Sequence, residues 1–497
     1  MNTSALLLAG SLAVPLLGAI AALLVRGRAG TVVASTAAVL TLLLTVPLIL
    51  DRGIARPVGR SSALWHEVDW AWVPDLHLNL HLGVDGISYP LVVLTALLTV
   101  LCCGYLVWQR PERAHQLAAL LLVIEVGILG TFLAQNLVLF FLAFEVVLLP
   151  MAAVIAGWGG PARRAAALKF ALYTLAGSVL LLIGVVAVVT QTGTADIGVL
   201  TADSGRLSHD AQLWIFGLFA VAFAIKSPLW PLHTWLPDAH TEAPTVGSVI
   251  LAGVLLKMGT YGLIRVGVGI TPEGAAAFAP ALGVLAVAAI IIGSLVCLSQ
   301  VEVKRLIAYS SVGHMGFVLL GIATLNEIGL QAALIGNIAH GLLTGLLFFL
   351  AGAIKDRAHT GLLADLGGLR ERQPWLAGVL GFAALGSLGL PGLAGFWGEA
   401  FAVVAAVRRD GTLWTVLAVL AAIGGALTAA YLLRLLRRVS HGPQAATLVG
   451  APEARLPELV AWSPLVALAL LLGVLPMLVL GLSAGAVAAL TTGPMTP

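Results

Sequence analysis

Lys226-Ser227-Pro228-Leu229-Trp230-Pro231-Leu232-His233-Thr234-Trp235-Leu236-Pro237 sets three prolines and a lysine inside an otherwise apolar run. Each proline removes a backbone donor, and its ring clashes with the preceding turn. In lipid, freed backbone groups are tolerated only beside protein or water. The stretch therefore reads as a membrane helix interrupted where polar contents are held. A second interruption, Leu390-Pro391-Gly392-Leu393-Ala394-Gly395-Phe396-Trp397-Gly398-Glu399, follows later. Counted by hydropathy, the two fall in the seventh and twelfth spans. Spans four to eight and nine to thirteen then form two five-helix repeats, and an odd helix number inverts the second copy. Interrupted helices at matching repeat positions point to a transport site; a pair of packing kinks is the plainer alternative.

Around these stretches the chain is apolar throughout. Hydrophobic residues make up 60% of 497 positions and charged residues 10%, against roughly 25% charged in a soluble domain. Apolar runs of about 20 residues, the length that crosses a bilayer core, recur from end to end. They fall near 4–25, 31–50, 87–108, 116–134, 136–156, 165–190, 213–232, 245–268, 276–298, 306–326, 328–353, 375–405, 412–436 and 463–490. The fold class is an all-α polytopic membrane protein of about fourteen helices. Its blocks are 1–115 (the first three helices), 116–268 (first repeat, proton uptake), 276–436 (inverted second repeat, proton exit) and 437–497 (a loop and the last helix). The run after Met1-Asn2-Thr3-Ser4 lacks a basic n-region and reads as a retained helix, not a signal peptide.

Cys102, Cys103 and Cys297 all sit in apolar runs without the spacing of zinc or iron–sulfur ligands. No phosphate-cradling glycine motif follows a strand. The expectation is that this chain binds no flavin, nucleotide, haem, cluster or metal, and no nucleic acid. With the N-terminus outside, cytoplasmic loops hold 16 of the 26 basic residues, outer loops (Arg52, Arg56, Arg60, Arg206, Arg408, Arg409) hold 6, and 4 lie in or at the ends of spans. The positive-inside rule then puts both termini outside.

Charges at the centre of a membrane helix cost roughly 2.5–3.5 kcal/mol each on the lenient insertion scale, yet several are present. Glu125 lies in the fourth span, Glu145 in the fifth, Lys226 in the seventh, Lys257 in the eighth, His314 in the tenth, His340 in the eleventh and Glu399 in the twelfth. The chain has five Lys against 21 Arg, yet both cations well inside spans are Lys. Arg does not release its proton in a protein, whereas a buried Lys does so readily. Arg265, toward a helix end, reads as snorkelling. Seven groups on seven helices point to a proton relay; a static Lys–Glu pair and interhelical histidine hydrogen bonds are the structural alternatives. In the relay, Glu145 beside Lys226 holds the ammonium, and withdrawing the carboxylate releases a proton toward Lys257. His233, His240, His314 and His340 carry protons between stations, and Glu399 is the last before the outside.

Other polar residues read more plainly. Asp69, Asp75, Asp85, His66, His77 and His81 fall in a long loop after the second span, too loosely spaced for a metal, and Trp65, Trp70 and Trp72 read as interfacial anchors. Asp238 and Glu242 would steer protons inward, and Lys304 and Arg305 read as topology signals.

The stretch Lys226–Pro244, ending Asp238-Ala239-His240-Thr241-Glu242-Ala243-Pro244, and Ser310-Ser311-Val312-Gly313-His314-Met315-Gly316 resemble the antiporter-like subunits of respiratory complex I. The resemblance spans nearly the whole chain. It implies fourteen core helices and inverted repeats around broken seventh and twelfth helices. Among the three paralogous kinds, Glu399 in Gly395-Phe396-Trp397-Gly398-Glu399 is similar to the M kind, the bacterial relative of mitochondrial subunit 4; the L and N kinds carry lysine there. By that motif Glu145 and Lys226 would be the Glu–Lys pair, Lys257 the central lysine and Glu399 the terminal station; Glu125 and the histidines transfer less directly.

The resemblance implies a proton-translocating subunit of NADH:quinone oxidoreductase in a bacterial plasma membrane. Its neighbours would be L- and N-type subunits, and partner subunits would carry FMN and Fe–S clusters. The rival is a subunit of a multisubunit cation/proton antiporter, which shares fold and motifs. Membrane-bound hydrogenases are a further redox-linked alternative, and a purely structural spacer is the third.

Overall fold

A backbone in lipid must satisfy its amides internally, and apolar runs of this length do so as helices. The computed structural model describes residues 3–50, 59–73 and 78–491. Met1, Asn2, Arg52, Arg56, Asp75 and His77, read above, lie outside the described residues. Among the described residues, twelve helices are long and apolar enough to cross a membrane.

The chain opens with α1 (Thr3–Val25) and α2 (Gly27–Thr45). A hairpin of β1 (His66–Val73) and β2 (Leu78–Val84) follows, antiparallel with His66 opposite Val84. Then come α3 (Tyr89–Gln109), α4 (Ala114–Leu133), α5 (Leu137–Val146), α6 (Leu148–Trp158), α7 (Arg163–Thr192), the short α8 (Ile197–Ala202), α9 (His209–Lys226) and α10 (Trp235–Glu242). The eighth span is α11 (Thr245–Ile250) and α12 (Leu256–Gly262), with π-helical segments Leu251–Leu255 and Leu263–Val268. The remainder is α13 (Pro272–Ser299), α14 (Val303–Ala323), α15 (Glu327–Ala358), the one-turn α16 (Leu369–Arg372), α17 (Pro374–Ser387), α18 (Ala394–Val407), α19 (Thr412–Ser440), α20 (Leu456–Val474) and α21 (Met477–Thr491).

The structure corrects three readings. The long loop after the second span contains the β-hairpin, whose first strand buries His66 and Val68 and exposes Glu67 and Asp69. The seventh span's α-helix ends at Lys226, not at 232, because Pro228 and Pro231 supply no amide to continue it. The last span starts at Leu456 and is itself interrupted at Leu475-Pro476.

Burial divides the helices into a shell and a core. The spans Thr245–Val268, Val303–Ala323 and Glu327–Ala358 have 100, 89 and 94% of their apolar windows buried, against 33–44% for Thr3–Val25, Arg163–Thr192 and Thr412–Ser440. The shell helices present leucine and valine outward, as a lipid-facing surface does. The three core spans carry Lys257, His314 and His340.

The first and last helices place their outer ends on one face. Ser4 Oγ lies 2.9 Å from His66 Nδ1, and Arg60 donates to the Leu490 carbonyl at 3.0 Å. We call this the termini face. On the opposite face Arg357, near the end of α15, pairs with Glu458 at the start of α20. α20 and α21 together therefore run antiparallel to α15 across the molecule.

Two isolated antiparallel bridges sit at equivalent places in the chain. Asn136, just before α5, bridges Asp196, and Glu302, just before α14, bridges Leu362, a separation of 60 residues in each case. The flanking bonds also match: Leu137 N to Ala195 O and Ile197 N to Gln135 O in one, Val303 N to Gly361 O and Leu363 N to Val301 O in the other. Each bridge residue caps the following helix through its side chain, Asn136 on Val138 and Leu139 and Glu302 on Arg305. The first bridge adjoins the hairpin on the termini face, where Gln135 N donates to His81 O. The second adjoins the opposite face.

Candidate functional site: a line of buried titratable groups

At the first interruption, Leu229 N turns back to the carbonyl of Ala224, and the neighbouring carbonyl of Ile225 accepts from the Trp235 indole at 3.0 Å. A side chain thus satisfies backbone that the prolines free. The second interruption, at Gly389 and Gly392 with positive φ, pairs with the break in the last span: Trp397 donates its indole N–H to the Gly473 carbonyl at 2.8 Å. Each break ends beside an ionisable residue, Lys226 in one and Glu399 in the other.

Lys226 is 2% exposed, and its ammonium sits 4.7 Å from the centre of the Phe144 ring. Glu145 follows Phe144 at a discontinuity between α5 and α6, where Pro150 leaves the Val146 carbonyl without its helical donor. The expected contact pair is looser than the sequence reading had it. Glu145 accepts a hydrogen bond from Ser178 of α7, and no ion pair joins it to Lys226 among the described residues.

Lys257 is fully buried between the two π segments. Its ammonium donates to the carbonyl of Ala252 in the first π segment and lies 2.6 Å from His340 Nδ1 on α15. The His340 ring meets His314 of α14 edge-on, centroids 5.8 Å apart, and His314 Nδ1 lies 2.9 Å from Glu399 of α18. His314, His340, Ser387 and Glu399 line a cavity of about 30 Å³, room for one or two water molecules. The Nε2 atoms of both histidines and the Ser387 hydroxyl have no partner among the described residues. Four of the nine expected residues, from four helices, thus form one connected series.

The polarity of that series follows from which atoms can donate. A charged Lys257 only donates, so His340 accepts at Nδ1 and carries its proton on Nε2. An ionised Glu399 only accepts, so His314 donates from Nδ1 and leaves Nε2 as an acceptor. A donor and an acceptor, both without a partner among the described residues, are then left on two residues that line one cavity. A proton passing along the series would go from Lys257 to His340 Nδ1, with one moving from His340 Nε2 to His314 Nε2 and one from His314 Nδ1 to Glu399. The result is a neutral lysine, a protonated glutamate and both rings in the opposite tautomer. Glu399 also borders a second, more open groove beside α19, lined by Phe396, Val403 and Gly425.

The other expected residues stand apart from this series. Glu125 is 1% exposed, with neither oxygen hydrogen-bonded among the described residues, beside Thr99 and Cys103 of α3. His240 is fully buried with both ring nitrogens unpartnered among the described residues, stacked on Phe348. His233 sits near the Tyr309 ring, with Nδ1 unpartnered among the described residues. Asp238 is tied to Lys169 at 2.7 Å and Arg305 at 3.1 Å, and Glu242 accepts from the Ala162 amide. No hydrogen bond joins Lys226 to Lys257 among the described residues.

Two sequence readings are corrected. Arg265 does not snorkel: it is 3% exposed and pairs with fully buried Asp85 at 2.5 Å, with Ser62 at 3.0 Å from the same guanidinium. A buried carboxylate just before α3 offers a better partner than water at the membrane surface. Lys304 is likewise no loop residue but 4% exposed, donating to the Ala243 carbonyl at 2.6 Å. The sequence reading also passed over Asn337, whose Oδ1 accepts from Thr260 at 3.1 Å one turn before His340.

A family model for the transmembrane part of NADH:quinone oxidoreductase and Mrp antiporter subunits matches residues 134–425, more than half of the chain. The chain belongs to this family. All four residues of the connected series fall inside the matched region. The chain is 45% identical to an NAD(P)H-quinone oxidoreductase chain 4 of a Synechococcus species, over 76% of this chain and 73% of that one. It is 41% identical to NADH-quinone oxidoreductase subunit M of Rhodobacter capsulatus, over 92% of this chain and 89% of the relative. Its fold superposes on a chain of respiratory complex I from Thermus thermophilus with a TM-score of 0.86 at 29% identity, covering 98% of both. This antiporter-like fold is the frame that holds the Lys257-to-Glu399 series.

Proposed function

We propose that the chain is the M-type antiporter-like subunit of a bacterial proton-translocating NADH:quinone oxidoreductase. In this reading it couples quinone reduction in partner subunits to proton transfer along Glu145, Lys226, Lys257, His340, His314 and Glu399. The observation that carries it is the contact series from Lys257 to Glu399, in which two hydrogen-bonded pairs meet through the His340 and His314 rings, four titratable groups brought to one place from four helices. The 41% identity to a subunit M over nine-tenths of the chain supports the redox-linked assignment within a family that also contains antiporters.

The matched bridges at Asn136–Asp196 and Glu302–Leu362 support two five-helix repeats of opposite orientation. The excess of Lys and Arg on the opposite face supports placing that face in the cytoplasm and both termini outside. The redox groups, FMN and Fe–S clusters, belong on partner subunits, and L- and N-type subunits are the neighbours. The open groove beside Glu399 suits it to hand its proton outward or to a neighbour.

The test is a mild-detergent purification of the tagged chain from its native membrane, followed by assay of NADH–quinone activity, flavin and iron. Co-purification of all three, with Glu399→Gln lowering proton pumping, is the expected result. Recovery with small membrane subunits alone, free of flavin and iron, moves the assignment to the cation/proton antiporters.

A further inference from the structure

α15 links the centre of the molecule to its opposite face, and titratable groups recur along one side of it. His340 holds Lys257 at the centre. Eight residues on, Phe348 stacks against the His240 ring, centroids 4.4 Å apart and planes 11° from parallel. Eight further residues on is Asp356, whose carboxylate accepts from Gln109 at 2.5 Å beside an open cavity of about 490 Å³. Eight residues advance a helix about 12 Å, so His240 stands midway between the central lysine and the water-facing acid.

The remaining station is Lys304. It is buried at the start of α14, bound to the carbonyl of Ala243, three residues after His240. A cation at a helix N-terminus opposes the helix dipole, so a permanent charge is badly placed there. The charges that face it come from Glu302, Glu242 and Asp356, with Lys355 opposing. His240 has both ring nitrogens free of hydrogen bonds among the described residues and is fully buried. An unsatisfied buried polar group costs about 1–3 kcal/mol, and a phenylalanine would stack on Phe348 without that cost.

We propose that Asp356, Lys304 and His240 form a proton-uptake route from the opposite face to Lys257, separate from Glu145 and Lys226. The proposal rests on the proton-translocation reading above. In each passage the Lys304 ammonium gives one proton to one ring nitrogen of His240. The imidazolium passes a proton from its other nitrogen to the neutral amine of Lys257, and Lys304 regains one from the aqueous phase through Asp356. Water carries the intervening hops.

The deciding variant is Lys304→Arg in the intact complex, in inside-out membrane vesicles. Arginine can donate to the Ala243 carbonyl but does not release its proton. A merely structural anchor is therefore rescued by Lys304→Arg, while a relay station is not. The expected result is a proton-to-electron ratio at least twofold below wild type, at unchanged complex content, with Arg305→Gln pumping normally. A wild-type ratio in Lys304→Arg overturns the route. Should Lys304→Arg fail to assemble, His240→Phe, which keeps the stack on Phe348, is read by the same criterion. Lys257→Leu serves as the control for the parent reading: if it too pumps normally, proton translocation by this chain fails; if it alone is defective, only the route fails.

Discussion

His340 Nδ1 lies 2.6 Å from Lys257 Nζ, and the same residue lines the cavity shared with His314 and Glu399. This one ring joins Lys257 to the His314–Glu399 pair. Replacing it with phenylalanine keeps a planar ring but removes both nitrogens. His340→Phe is expected to slow proton transfer through the subunit by about 100-fold, within the usual range for loss of a positioned acid–base group. Dye-quenching measurements on NADH-energised vesicles check this, normalised to complex content.

Glu399 reaches His314 because α18 lies close against α15. A methyl group added at Gly398 would come 2.6 Å from the backbone of Gly336. Gly398→Ala must push the helices apart at a cost of about 1–3 kcal/mol. The expected outcome is a lower unfolding temperature together with reduced pumping, although no titratable group is changed. Equal pumping with equal stability would show that α18 docks differently.

These features differ in how far the sequence disclosed them. Lys257 was legible because a lysine in an apolar run has no cheap reading, and the two proline breaks were legible because proline's chemistry is local. The π segments on either side of Lys257 were not, since the α-to-π change leaves no mark in hydropathy. Lys304 was misread because at the edge of a span the sequence does not say whether a long side chain turns inward. Arg265 and Asp85 are 180 residues apart, and only the fold brings them together. The hairpin was hidden because its alternation is short and carries His66 and His81 at buried positions where strands usually carry apolar residues.

The Arg265–Asp85 pair offers a test of that misreading. Removing one partner of a buried ion pair typically costs about 3–5 kcal/mol, because the other charge remains buried. Arg265→Met should destabilise the chain on that scale. Arg265→Met combined with Asp85→Leu should recover much of the loss, which a double-mutant cycle of thermal unfolding will measure.

The hairpin is held by charge at the membrane surface. His81 touches Glu67 at 2.7 Å and Asp196 at 3.0 Å. Burial pulls the His81 imidazole down, but the hydrogen bonds and charges of Asp196 and Glu67 outweigh it and leave it raised above its usual value. Burial likewise pushes Asp196 up, and His81 with the Val199 amide leaves it lowered. The raised histidine stabilises at low pH and loses its contribution as pH rises through its folded value; the lowered aspartate stabilises at higher pH and loses its contribution as pH falls. Protection of hairpin amides against hydrogen exchange should therefore peak between the two, and His81→Gln should abolish the decline on the alkaline side.

The most direct measurement is the number of protons moved per NADH oxidised in inside-out vesicles carrying Lys257→Arg. Arginine keeps the positive charge beside His340 but does not release its proton. The account predicts fully assembled complex with a proton-to-electron ratio well below wild type. A wild-type ratio would mean that Lys257 serves only as a fixed charge and that the series from Lys257 to Glu399 carries no proton.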